Sequence, residues 1–307
     1  MIIDTEVHVF CKINYLGDVD LQYSPELLVA EMDNAGVDKG IIISYEMKDV
    51  GYILGMYGKD VFYRRIINKE YFVHAFKKFP NRFIWFTYGF DPNNKDYLDI
   101  VKEDVSNGAS GIKLLPSTTG FTMDDKRLLP LFKYCEKEKL PISLANEYWN
   151  YLDRPPHTKD FSRYCAPIHR IIEEYNINWI LNHLGCFNWT DEFPHPCGSV
   201  KRGEIFKNLD EFAKLMAHSN VWTQNAYIVG YFRDEEYPYP TAHKLQKRLI
   251  DEIGIDKFIF ATDWPWTERI CKYKQQVDMI RNADYLTEED KEKFLSRNVA
   301  KFLNLAV

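Results

Sequence analysis

The chain has 307 residues, 46% of them hydrophobic and 15% aromatic, enough for one large buried core. Its formal net charge of -6 leaves no basic excess, which argues against nucleic acid or an anionic membrane surface as its main partner. No run reaches the roughly 18 to 20 apolar residues that a bilayer crossing needs, the N-terminus lacks a basic-then-apolar leader, and Cys11, Cys135, Cys165, Cys186, Cys197 and Cys271 form no CxxC pair. A cytoplasmic location with reduced thiols is expected.

Taken in chain order, residues 2–9, "IIDTEVHV", read as a first strand. In "SPELLVAEMDNAG" (24–36), a Ser cap, a Pro in the first turn, apolar spacing of three and four and a closing Gly predict a helix. "KGIIIS" (39–44) is strand two. A long inserted connection over 46–80 follows, carrying Gly51, Gly55 and Gly58 and then the helical "NKEYFVHAFKKF". Its aromatic residues suit an active-site lid, a dimer face or both.

Strand three, "RFIWFTYGF", leads to the helix "YLDIVKEDVSNG"; strand four, "SGIKLLP", leads to "DDKRLLPLFKYCEKEK". "LPISLA" is strand five, followed by the helical "YCAPIHRIIEEY". "INWILNHLG" is strand six, followed by "EIFKNLDEFAKLMAHS". "NVWTQNAY", strand seven, precedes the helix "TAHKLQKRLIDEIG", and "DKFIFATDW" is strand eight. Two further helices, "ERICKYKQQVDMIRNA" and "TEEDKEKFLSRNVAKFLNL", close the chain. Eight strands, each followed by a helical stretch, predict an α/β (β/α)8 TIM barrel in a single domain over 1–307, with an open doubly wound sheet as the alternative. No glycine-rich dinucleotide fingerprint follows any strand.

In such a barrel the active site lies at the C-terminal strand ends. Those ends carry groups that a core rejects: Glu6 and His8 on strand one, Lys113 on strand four, Asn182 and His183 on strand six, Asp263 on strand eight. Residues two apart on a strand share a face, so Glu6 and His8 point together, and a carboxylate beside an imidazole is half of a divalent-metal site. Asp4 reads as a support below them. His195 and Cys197 suit a rigid Pro-rich loop, and His157, His169, His218 and His243 read as surface groups.

These residues resemble the amidohydrolase superfamily, in particular its branch of small metal-dependent hydrolases and decarboxylases. The match rests on "IIDTEVH", "GIKLLP", "WILNHLG", "FATDWP" and the closing "RNVAKFLNL", in that order. The resemblance implies metal ligands at Glu6, His8 and Asp263, acid/base or electrophilic work at His183 and Asp263, and substrate contacts at Lys113, Asn146 and Trp264. Relatives carry a His at the end of strand five where this chain has Ala145. Either Glu147 replaces it as an oxygen ligand, or the metal is weakly bound or absent.

The implied cofactor is one divalent metal, Zn, Mn or Mg, and oxygen-rich ligands lean toward Mn or Mg. The implied activity is metal-dependent hydrolysis of a small carboxylated ester, lactone or amide. Glu6 stands where most relatives have His and where aromatic-acid decarboxylases have Glu, so non-oxidative decarboxylation of a hydroxylated aromatic or muconate-type acid is the alternative. A third reading is a barrel that has lost catalysis and keeps a binding role. A small carboxylated substrate is the expected partner, with a homo-oligomer possible.

Overall fold

The computed structural model describes residues 1–9, 13–15, 19–21, 23–44, 69–116, 121–145, 161–185, 209–232, 235–268 and 270–305. The chain opens with β1 (Ile3–Val7), a short antiparallel hairpin of β2 (Ile13–Tyr15) and β3 (Val19–Leu21), α1 (Pro25–Ala35) and β4 (Lys39–Ser44). It continues through α2 (Lys69–Lys78), β5 (Phe83–Tyr88), α3 (Tyr97–Ser106), β6 (Gly111–Leu114), α4 (Leu129–Glu138) and β7 (Ile142–Leu144). Next come α5 (Phe161–Glu174), β8 (Trp179–Leu181), α6 (Leu209–Met216), β9 (Val221–Gln224), α7 (Pro240–Ile253) and β10 (Phe258–Ile259). The last elements are α8 (Tyr273–Arg281), α9 (Glu288–Glu292) and α10 (Asn298–Phe302).

Eight of these strands form one parallel sheet in the order β1-β4-β5-β6-β7-β8-β9-β10. The chain beyond β10 returns along β1. Thr5 N–H donates to the Phe260 carbonyl (3.1 Å), Asp263 N–H to that of Glu6 (3.0 Å) and His8 N–H to that of Trp264 (2.8 Å). These bonds close the sheet into the expected (β/α)8 barrel, and they set the end of β1 beside the segment that carries Asp263.

Local chemistry explains the helices. Ser24 Oγ accepts from Leu27 N–H at 3.2 Å, Pro25 occupies the first turn, and Gly36 ends α1 with φ 66°. The expected final helix is split into α9, a π-helical turn over Lys293–Arg297 and α10, which turns Phe294 and Leu295 into the core. Asn298 then donates to the carbonyls of Ile255 and Phe258, both at 2.8 Å, pinning the end of the chain under β10. The hairpin β2–β3 was not expected: its strands have three residues each, too short for a periodic signal.

Packing is tight enough to dictate residue type. A Cβ at Gly111 would lie 2.3 Å from the Phe86 ring, so glycine is what lets β6 cross that side chain. Among the described residues no helix is long and apolar enough to cross a membrane. The connection expected over 46–80 lies outside the described residues up to 68, and α2 forms its described part.

Candidate active site

The strands of the barrel are parallel and end at the same mouth, and β1 with the residue that follows it delivers Glu6 and His8 there. Glu6 is 2% and His8 6% exposed, so their charge is held almost entirely out of water. His8 Nε2 lies 3.1 Å from Asp263 Oδ1 and 3.8 Å from Glu6 Oε1. From β8, His183 Nε2 stands 3.6 Å from Glu6 Oε2 and 3.8 Å from Asp263 Oδ2. Thus Glu6, His8, His183 and Asp263, read from separated stretches of sequence, meet in one mouth, His8 at Oε1 and Oδ1 of the two carboxyls and His183 at their Oε2 and Oδ2.

Two of them sit in unusual backbone. His183 has φ 52° and Asp263 φ 58°, left-handed values that are costly for residues with a Cβ. The fold holds Asp263 in place: its N–H bonds to Glu6 and its carbonyl accepts from Trp266 N–H at 2.9 Å. Such strain kept by surrounding structure concentrates at functional sites.

Glu6 is the hub of a polar network inside the barrel. Lys113, 1% exposed on β6, donates from Nζ to Glu6 Oε1 at 2.6 Å, so its ammonium is engaged by Glu6. Asn182 and Gln224 both donate to Glu6 Oε2. Ser143 Oγ joins Lys113 Nζ (3.4 Å) to Asn182 Oδ1 (2.7 Å), and Thr5 Oγ1 donates to Gln224 Oε1 (2.8 Å). Burial alone would raise the Glu6 pKa, but Lys113, then His183 and His8, outweigh it and hold the carboxyl at about 2.

The second carboxyl goes the other way. Burial, reinforced by the negative charge of Glu6, raises the pKa of Asp263 against its hydrogen bond with His8. The two neighbouring carboxyls are therefore shifted in opposite directions, Glu6 toward the anion and Asp263 toward the protonated form, a division that acid/base chemistry uses. Below them Asp4 is raised to about 7, because burial outweighs its bonds from Thr262 Oγ1 (2.6 Å) and Thr262 N–H (3.1 Å).

The donor spacing fits a divalent cation. Bonds of about 2.0 to 2.2 Å to N and O place neighbouring ligand atoms roughly 3 to 3.6 Å apart, and the observed separations run from 3.1 to 3.8 Å. Donor atoms of Glu6, His183 and Asp263 all lie within 4.8 Å of one another. A carboxylate offers about four lone-pair sites; Lys113, Asn182 and Gln224 use three at Glu6 and leave one.

Ala145 is fully buried at the end of β7 and adds no donor. Asn146 and Glu147, expected as a substrate contact and an oxygen ligand, lie outside the described residues, as do His157, His195 and Cys197. Trp264 is 1% exposed and packs edge-on against Tyr23, ring centroids 5.2 Å apart, in the core. The indole beside the site belongs to Trp266, 6.2 Å from the His8 ring, and Tyr227 stands 6.2 Å from the His183 ring. Ser143, Gln224 and Trp266 escaped sequence reasoning; a buried Ser and Gln at the ends of two apolar strands were the available signal.

A parallel eight-stranded barrel with buried carboxylates and imidazoles at its C-terminal mouth is a TIM barrel whose candidate active site lies where that fold places one. The chain belongs to the amidohydrolase family, whose profile matches residues 3–305. Among solved structures it is similar to an amidohydrolase from Burkholderia multivorans with bound zinc (12% identity, all of both chains covered, TM-score 0.69). It is also similar to a probable 2-pyrone-4,6-dicarboxylic acid hydrolase from Acinetobacter baumannii with citric acid bound (14% identity, 99% of both chains, TM-score 0.65). A third is a 2,6-dihydroxybenzoate decarboxylase complexed with 2,6-dihydroxybenzoate (16% identity, 99% of both chains, TM-score 0.62). At these identities the likeness concerns the fold alone. No curated protein sequence matches the chain significantly.

Proposed function

We propose that the chain hydrolyses a small carboxylated ester, lactone or amide at the barrel mouth. The observation that carries this reading is geometric: two carboxyls, Glu6 and Asp263, and two imidazoles, His8 and His183, meet at metal-ligand spacing in the barrel mouth. Glu6, His8 and Asp263 would hold the divalent metal common in this family. Such an ion supplies Lewis-acid polarisation and lowers the pKa of a water toward about 7.

The residues divide the remaining work. Asp263 would accept the proton of the attacking water, its raised affinity helping it to take and hold that proton, and pass it on to the more basic leaving group as the tetrahedral carbon collapses. His183 Nε2 faces the point between the two carboxylates and would stabilise the oxygen on which negative charge develops. His8 Nε2, 3.1 Å from Asp263 Oδ1, stands at the spacing of two ligands that would share one ion. Lys113 neutralises Glu6, so a divalent cation would leave the mouth with positive excess, which favours an anionic substrate. The citric acid held by one structural neighbour and the dicarboxylic acid in its description are in keeping with this class.

A second reading, decarboxylation of a hydroxylated aromatic acid, draws on Trp266 and Tyr227, whose rings flank His8 and His183 and could wall an aromatic ring. There Asp263 would protonate the ring carbon that loses carbon dioxide. One panel separates the two: carboxylated lactones and esters followed by acid release, and hydroxybenzoates followed by carbon dioxide release. Hydrolysis is the expected outcome; carbon dioxide release without hydrolysis would select the second reading, and inactivity on both would return the chain to a binding role.

A further inference from the structure

We propose a second metal site, formed by His169, Glu173 and His218, that takes one divalent ion of the zinc class on the barrel face opposite the active site. His169 and Glu173 are four apart on α5 and so share one helix face. His218 lies in the turn between α6 and β9. That turn precedes a strand, so it belongs to the N-terminal end of the barrel, whereas the catalytic groups sit at the C-terminal end.

The three side chains already converge. His169 Nδ1 and His218 Nε2 are 2.8 Å apart, and one donor atom from each of the three residues lies within 4.8 Å of the other two. Two imidazoles and a carboxylate are an established donor set for zinc, with the fourth position left to water. Each neutral ring has one N–H, and the hydrogen bond needs it at one of the facing nitrogens. Ion binding moves that proton to the far nitrogen of the same ring, leaving two lone pairs inward and no net charge change. Burial, then His218, lowers the pKa of His169, which keeps the ring neutral and ligand-ready near pH 7.

One further feature favours a cation there, and another fixes the turn that would hold it. The last turn of α5 contains Glu173 and Glu174 and no basic residue, so negative side chains meet the negative end of the helix dipole, and an ion bound at Glu173 relieves both. The turn bearing His218 is also fixed from its other side: Lys257 Nζ donates to the carbonyls of His218 (2.5 Å) and Val221 (3.1 Å). An ion would clamp α5 to this turn, a stabilising role in keeping with its place at the bottom of the barrel.

Zinc alone is the probe. Metal-free full-length protein is titrated with zinc against a chromophoric chelator, in parallel with His169→Ala and Glu173→Gln. The wild type should bind one equivalent more than His169→Ala, whatever the active site takes up. Glu173→Gln, an exposed change that leaves the fold untouched, should weaken that equivalent by about 10-fold or more. Saturating zinc should raise the melting temperature of the wild type by about 2 to 4 °C more than that of His169→Ala. Equal stoichiometry in wild type and His169→Ala, or an affinity unchanged by Glu173→Gln, overturns the site.

Discussion

The Lys113 ammonium from β6 and the Glu6 carboxylate from β1 meet at 2.6 Å inside the barrel, both almost wholly buried. Removing one partner strands the other charge in a medium that cannot solvate it. Lys113→Met should therefore destabilise the protein by about 3 to 5 kcal/mol in urea unfolding. The double change Lys113→Met with Glu6→Gln leaves no net charge and should regain part of that loss. A double variant no more stable than Lys113→Met would mean that the ion pair is not what holds this region.

In the proposed reaction Asp263 is the group that gains and loses the proton. Asp263→Asn should lower kcat by about 10²- to 10⁴-fold on whichever substrate class the panel identifies. Thermal stability should hold or rise, because a buried carboxyl whose pKa burial raises is replaced by a neutral amide of the same shape. Retained turnover in a folded Asp263→Asn protein would remove the residue from the mechanism.

The pH dependence of stability follows from Asp4 and Glu6, with opposite signs. Asp4 binds its proton more tightly when folded, about 7 against 3.8, so its contribution is full below 3.8 and is lost as pH rises through about 7. Glu6 holds its proton less tightly when folded, about 2 against 4.5, so its contribution is present above 4.5 and is lost as pH falls toward 2. Asp4→Asn should flatten the decline between about pH 4 and 7 in denaturation midpoints, by a few kcal/mol at most. An unchanged slope would assign the titration to another group.

Metal dependence is a separate matter from the fold. Chelation should reduce turnover by about 100-fold or more, and Mn or Zn should restore it. Because Lys113, Asn182 and Gln224 hold Glu6 without an ion, the metal-free protein should keep its far-ultraviolet circular dichroism. Activity that persists through exhaustive chelation would confine catalysis to the side chains.

Much of the barrel was legible in the chain because the signals are local. Alternating strand and helix periods, the Ser24 cap and Gly36 stop of α1, and the eight apolar runs are each read within a dozen residues. Glu6, His8 and Asp263 stood out for a related reason: an ionisable group inside an apolar strand costs too much to be incidental. The hairpin β2–β3 and the division of the last helix left no such trace, since three-residue strands and a π-helical turn lack a period of their own.

By itself, then, the sequence determined the fold class, the family and the strand ends that carry the ionisable groups. Only the tertiary structure decided who meets whom. Lys113 finds Glu6 across 107 positions, Gln224 reaches it across 218, and His169 meets His218 across 49. The left-handed turn at Asp263 sends Trp264 into the core and leaves Trp266 beside His8. These pairings depend on strand register and barrel closure, which are properties of the whole sheet rather than of any stretch within it.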